Sequence, residues 1–335
     1  MRFLRRVFQR IGDFFEDIID WIKDAFYALS VKLHKKMPNR QGKKVRNRNR
    51  NEIIFLICIL ALPISKFIIF YIGVNINSIL LAFQSYTPTG ETVFAGFDNF
   101  KEVFFVLSGA GELRYGLKNS LLLYGMGTLI SLPLSLLFSF YIYKRCFMAG
   151  FFKIILFLPS IISSLVSVLI FQYFVEDGIS KLIGFNLLTK PSTSFGTIIF
   201  FNLWVGFGTG IIMYSNAMSK IDPSIVEYGR LEGVTPLREF ISITLPMIFP
   251  TITSMFIMGI AGIFTNQAGL YSFFADTTEA YNQTIGYYMF IKILGEANTT
   301  EYPFAAAAGL LFTLICVPLT MSVRWLMEKF GPSEE

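Results

Sequence analysis

The chain has 335 residues, 53% of them hydrophobic and only 16% charged, with 37 Phe and a formal net charge of +6. A soluble domain carries about a quarter charged residues, so this shortfall, with apolar windows of roughly 20 residues recurring along the chain, excludes a water-soluble globular protein and points to the membrane. Cys58, Cys146 and Cys316 lie far apart without metal-ligand or disulfide spacing, and His34 is the single histidine. That argues against a histidine-centred catalytic or metal site, and no G-x-x-x-x-G-K-[ST] run is present to cradle nucleotide phosphates.

In residues 1–31, Leu4, Val7, Phe8, Ile11, Phe14, Phe15, Ile18 and Ile22 recur at three- and four-residue steps, with Arg5, Arg6, Asp13, Asp17 and Asp20 largely opposite. The pattern predicts an amphipathic helix that lies in the headgroup region of a bilayer or packs on the protein itself. Charge runs through the segment, so it does not read as a cleaved signal peptide. Residues 32–51 form a basic tether, with Lys32, Lys35, Lys36, Arg40, Lys43, Lys44, Arg46, Arg48 and Arg50. Beside a first membrane span, such a run keeps the N-terminus in the cytoplasm and favours anionic lipid; no nucleic-acid partner is implied.

Residues 52–330 read as six spans, at about 53–83, 120–143, 152–174, 195–218, 243–264 and 304–326. The fold class is therefore all-α integral membrane: six transmembrane helices preceded by an amphipathic helix. Lys144, Arg145, Lys153, Lys220, Arg230, Arg238, Arg324 and Lys329 fall on one side, and most loop carboxylates on the other. The positive-inside rule then places both termini in the cytoplasm of a multi-pass cell-membrane protein.

Polar groups at bilayer depth are costly and tend to face a bundle interior or a water path. Asn202, Trp204 and Asn216 on the fourth span, and Asn266 and Gln267 at the outer end of the fifth, are the candidates for lining such a path. Amides supply donors and acceptors, and an indole face stacks on a sugar's C–H surface. The plainer alternatives are interfacial placement for Asn266 and Gln267 and an aromatic-belt anchor for Trp204. Lys66 snorkels or pairs within the bundle. Gly125, Gly127, Gly206, Gly208 and Gly210 permit close helix packing, and Pro63, Pro133, Pro159, Pro250 and Pro318 interrupt the spans. No carboxylate pair lies deep in a span, which disfavours a proton-driven carrier.

Between the fourth and fifth spans, residues 222–246 read as a rod of two short helices. Asp222 caps the first, Pro223 takes its first position, and Ile225, Tyr228 and Leu231 share a face flanked by Glu227, Arg230 and Glu232. Gly233 ends it in a left-handed conformation. Thr235 and Pro236 then start a second helix over 237–245, and Pro246 allows a bend into the membrane.

Glu227, Gly233 six residues on, and Ile243-x-Leu245-Pro246 beginning ten residues after that glycine resemble the EAA motif. This motif belongs to the membrane-spanning subunits of binding-protein-dependent ABC importers, where it docks the ATPase partner. Tyr228 and Gly229 replace the usual two alanines, and Glu232-Gly233-Val234 replaces Asp-Gly-Ala. Asn99-Phe100, Asn119-Ser120, Pro159, Trp204 with Gly206 and Gly208, and Phe304-Ala305-Ala306-Ala307 extend the similarity, toward sugar-type permeases of the maltose and polysaccharide kind, over residues 52–330.

The resemblance implies the type I importer permease fold and a transport subunit rather than an enzyme, with ATPase-docking residues Glu227, Tyr228, Gly229, Gly233, Val234, Thr235, Leu245 and Pro246. It also implies separate ABC ATPase subunits that use ATP and Mg, a second homologous permease, and an extracellular or periplasmic solute-binding lipoprotein that meets loops 87–117 and 266–303. No cofactor is expected on this chain. The implied solute is an oligosaccharide or related carbohydrate; the alternatives are a non-sugar solute or an ion-coupled secondary carrier.

Overall fold

The computed structural model describes residues 50–87, 91–109, 111–294 and 301–332. The predicted helix at 1–31 lies outside the described residues, as does all of the basic tether except its last two. The chain divides into two compact units, Met1–Phe67 and Ile68–Glu335. In the first, α1 (Arg50–Lys66) runs through Pro63 without ending.

The second unit holds the remaining elements. They are α2 (Val74–Ala82), the antiparallel strands β1 (Gln84–Tyr86) and β2 (Thr92–Phe94), and the helices α3 (Asp98–Ser108), α4 (Glu112–Tyr143), α5 (Ala149–Ile161) and α6 (Ser164–Ile183). These are followed by α7 (Pro191–Met218), α8 (Pro223–Leu231), α9 (Pro236–Met247), α10 (Phe249–Ala261), α11 (Leu270–Phe274), α12 (Ile285–Leu294) and α13 (Tyr302–Phe330). The hairpin, which pairs Gln84 with Phe94 and Tyr86 with Thr92, departs from the all-α expectation. Its two strands are three residues each, too short to leave a period-two pattern in the sequence.

Among the described residues, four helical stretches are long and apolar enough to cross a bilayer: Cys58–Ala82, α4, α7 and α13. Two further predicted spans are bent pairs. The one at 152–174 is broken between α5 and α6 by 103°, and the one at 243–264 is bent by 67° between α9 and α10. Both breaks have local causes. Ile162 and Ser163 are extended, and the Ser163 hydroxyl accepts from Val166 N at 3.5 Å, starting a new helix soon after Pro159. Pro250, in the first turn of α10, has no N–H to continue the preceding helix, so the chain turns at Ile248. In α4 the π-turn Gly127–Ser131 precedes Pro133 and absorbs the proline without a break.

Large apolar side chains are exposed along the helices, among them Phe105, Leu129, Ile154, Leu314 and Met321, each more than 60% accessible. A surface so rich in large apolar groups suits hydrocarbon rather than water. Inside, three apolar clusters form. Val168, Phe171, Ile198, Phe201 and Phe273 join α6, α7 and α11. Ala82, Val103, Leu113, Ile285, Ala307 and Leu311 join α2, α3, α4, α12 and α13. Leu136, Tyr214, Met218, Val226, Phe240 and Ile248 gather where α4 and α7 end.

At the opposite end of these helices, side-chain amides donate to backbone carbonyls and to a serine hydroxyl of other elements. Asn119 Nδ2 donates to Tyr281 O at 2.8 Å and Gln283 O at 2.9 Å. Gln172 Nε2 reaches Phe273 O at 3.0 Å, and Asn282 Nδ2 reaches Ser194 Oγ at 2.8 Å. Asn99 Nδ2 likewise bridges Ala82 O and Gln84 O, fixing the hairpin to α3.

Candidate functional site

A cavity of about 890 Å³ opens between α4, the α5–α6 break, α7 and α10. Helical spacing brings Tyr124, Thr128, Ser131 and Ser135 of α4 to its wall, and α7 contributes Asn202 and Tyr214. The 103° break turns Ser160, Ser164 and Ser167 toward the same space. Ser167 Oγ is buried there without a hydrogen-bond partner. Among the described residues, no Asp, Glu, Lys, Arg or His lines the cavity. Its chemistry is that of hydroxyls, amides and aromatic faces, and its volume falls within the ~300–1,000 Å³ common for ligand sites.

The sequence candidates separate here. Asn202 and Asn266 line the cavity. Asn202 Nδ2 donates to Ile198 O and Ala268 O, both at 2.9 Å, so its carbonyl oxygen is the group left for a solute. Asn266 Oδ1 accepts from Ala268 N at 2.8 Å, which leaves its NH₂. Trp204, Asn216 and Gln267 are not on the wall. Trp204 is 40% exposed and stacks against Phe171, on a different face of α7 from the cavity. Asn216 is exposed near the end of α7, and Gln267 is half-buried in the turn before α11. Along an all-apolar helix, sequence alone does not mark which face turns inward.

The predicted roles of the glycines divide in the same way. At Gly208 an added Cβ would lie 2.6 Å from Phe157 Cα, so α7 and α5 pack backbone to backbone there. Gly125, Gly127 and Gly206 have no such neighbour; Gly127 and Gly206 instead widen the cavity.

Beyond the cavity, where α4 and α7 end, residues 222–247 form the predicted two-helix rod. Asp222 Oδ1 accepts from Ser224 N at 2.9 Å, and this bonding holds its carboxyl below the ordinary range. Pro223 occupies the first turn. Gly233 has φ +74°, with Gly233 N donating to Arg230 O and Val234 N to Gly229 O, the paired bonds of a Schellman stop. Thr235 stands at the start of α9 but makes no side-chain cap, and α9 continues past 245 to Met247 through a π-turn at Phe240–Thr244.

One side of the rod is seated. Val226, Gly229, Phe240 and Thr244 are buried, and Gly229 leaves room for Ile243 Cδ1. The other side is open: Tyr228 is 66% exposed, Leu231 86% and Leu237 65%, beside an exposed Glu227. Of the remaining predicted docking residues, Thr235 is exposed, while Val234, Leu245 and Pro246 are half-buried.

A group missed in the sequence holds the rod to the bundle. Lys144 Nζ lies 2.7 Å from both carboxylate oxygens of Glu239, with the two side chains 16% and 5% exposed. Lys144 sits over the Phe140 ring, which packs on Phe240 at 5.0 Å between centroids. The turn that follows is tight, with Arg145 and Met148 both at positive φ. The partners are 95 residues apart, and no local pattern links them.

An apolar helical bundle with an uncharged polar cavity, and a capped rod exposing apolar side chains at one end, defines a membrane transport subunit. The chain belongs to the family of binding-protein-dependent transport system inner membrane components, whose sequence profile matches residues 127–332, more than half its length. It is thus a permease subunit of a binding-protein-dependent importer. It is similar to a probable ABC transporter permease of Mycoplasma pneumoniae, at 27% identity over 251 residues, covering 68% of this chain and 71% of the relative. It is also similar to the multiple sugar-binding transport system permease MsmF of Streptococcus mutans, at 28% identity, covering 54% of this chain and 64% of that one. Among solved structures, a bacterial ABC transporter involved in import of the acidic polysaccharide alginate matches with TM-score 0.70 and 23% identity, covering 84% of this chain and 97% of that one. That likeness concerns the fold.

Proposed function

We propose that this permease passes a neutral carbohydrate, an oligosaccharide or related polyol, through the cavity walled by Asn202, Asn266 and the hydroxyls of α4 and α6. The observation that carries this reading is a wall rich in hydroxyls and amides with no formal charge among its described lining residues. A neutral sugar exchanges its water hydrogen bonds for such groups, whereas an anionic one would leave its carboxylates without a cation. The sugar-permease relatives support the class of solute.

In this reading six crossings place both termini in the cytoplasm, with the bent pairs α5–α6 and α9–α10 each counted as one. A second homologous permease completes the cavity wall. A solute-binding protein delivers solute at the end bearing the hairpin, α11 and α12. The rod at 222–247 docks a separate ATPase that binds ATP and Mg, through Glu227, Tyr228, Leu231 and the Gly233 turn, and this chain itself carries no cofactor.

The test is uptake by vesicles holding the complete transporter, with neutral and uronic-acid trisaccharides as competing probes. The proposal expects saturable, ATP-dependent uptake of the neutral sugar and little competition from the acidic one. Uptake driven by an ion gradient without ATP would instead make the chain a secondary carrier.

A further inference from the structure

Apolar contact seats the rod, yet apolar contact has no preferred direction and tolerates sliding. The Lys144–Glu239 pair differs in kind. Both carboxylate oxygens are engaged at 2.7 Å, and both side chains are largely withdrawn from solvent. Separating such charges in a dry setting leaves each without compensation, so the contact holds its geometry under load. It also joins two specific elements. Glu239 lies in the first turn of α9, and Lys144 directly follows the last residue of α4. Helix α4 carries Tyr124, Thr128, Ser131 and Ser135 of the cavity wall. From Lys144 back to Ser135 is about 14 Å along a helix axis, a short and stiff distance.

We propose that Lys144 and Glu239 are positioning residues that transmit displacement of the docking rod to α4, and through it to the cavity. The pair is a directional strut between the ATPase-gripped segment and the wall that must move for access to alternate. This rests on the proposed docking of an ATPase to the rod.

The test uses the complete transporter in vesicles, with Ser131→Cys on the cavity wall as reporter and a membrane-impermeant maleimide as probe. With the strut intact, ATP changes the labelling rate of that cysteine by about fivefold or more. No change in this reference protein would refute the docking reading itself, separately from the strut. In Lys144→Met or Glu239→Gln, ATP hydrolysis persists while the labelling shift, per assembled complex, falls below about twofold. The exchange Lys144→Glu with Glu239→Lys restores it.

A purely structural role would lower the amount of complex and leave the shift per complex unchanged. Where the single variants fail to accumulate, the apolar pair Lys144→Met with Glu239→Leu decides, because it fills the site without an orphan charge. A wild-type labelling shift in that double variant, or in either single one, overturns the proposal.

Discussion

The two ends of the helices are held together by different chemistry. At the end bearing Asn119, Asn282 and Gln172, neutral amides donate to groups far away in sequence, Asn119 and Gln172 to backbone carbonyls and Asn282 to the Ser194 hydroxyl. At the rod end, an apolar cluster that includes Leu136, Tyr214, Val226 and Phe240 and the buried Lys144–Glu239 ion pair do the joining, while Tyr228, Leu231 and Leu237 stay open. The first arrangement is made wholly within the chain, with Thr278 Oγ1, Asn282 Oδ1 and Gln283 Oε1 buried there without a hydrogen-bond partner. The second leaves apolar surface that gains only when something covers it. One end behaves as a frame, the other as a handle.

Changing Asn119 to Leu gives the largest expected effect. It orphans the carbonyls of Tyr281 and Gln283 in a buried place, lowering stability by about 2–4 kcal/mol. Thermal unfolding in detergent measures it, and transport per folded complex should hold. Next comes the handle: Tyr228→Asp with Leu231→Asp alters only exposed side chains. Its unfolding midpoint should match the parent, while ATPase affinity in a pull-down titration falls by about 2 kcal/mol or more. Equal losses of stability in these two variants would erase the distinction between the ends.

Gly233→Val forces a β-branched residue to φ +74° at a cost of about 1–2 kcal/mol. Transport should fall relative to ATP hydrolysis, while Gly233→Asn, which tolerates the left-handed region, should retain most of it.

The smallest effect is at Asp222. Its carboxyl is held below the ordinary range by Ser224, so its support for the start of α8 is complete above that range and is lost as pH falls through the depressed value. Amide exchange at Ser224 and Ile225 should therefore be faster in Asp222→Ala than in the parent at neutral pH, and the two should converge in strong acid.

Legibility followed range along the chain. The cap at Asp222, Pro223 in the first turn and the left-handed Gly233 depend on immediate neighbours, and the sequence displays all three. The break at Ile162–Ser163 left a fainter trace, in Pro159 followed by Ser160, Ser163 and Ser164 within an apolar run. A continuous hydrophobic window masks such a signal. An indole on an apolar helix fits either face, so the sequence did not show that Trp204 packs against Phe171. Asn99 and Asn119, noticed in the sequence for their resemblance alone, turn out to tie α3 to the hairpin and α4 to the segment before α12. The Lys144–Glu239 contact had no trace, since two ordinary charged residues 95 positions apart meet only once the helices pack.

The most direct test of the transport mechanism is site-specific crosslinking from the handle. With the three native cysteines replaced by Ser, Leu231→Cys in membranes carrying the whole transporter should crosslink to the ATP-hydrolysing subunit, and ATP should change the yield. Leu129→Cys, on an exposed face of α4, should not crosslink to it. An absent crosslink from position 231 in a transporter that still imports its solute with ATP would contradict the account.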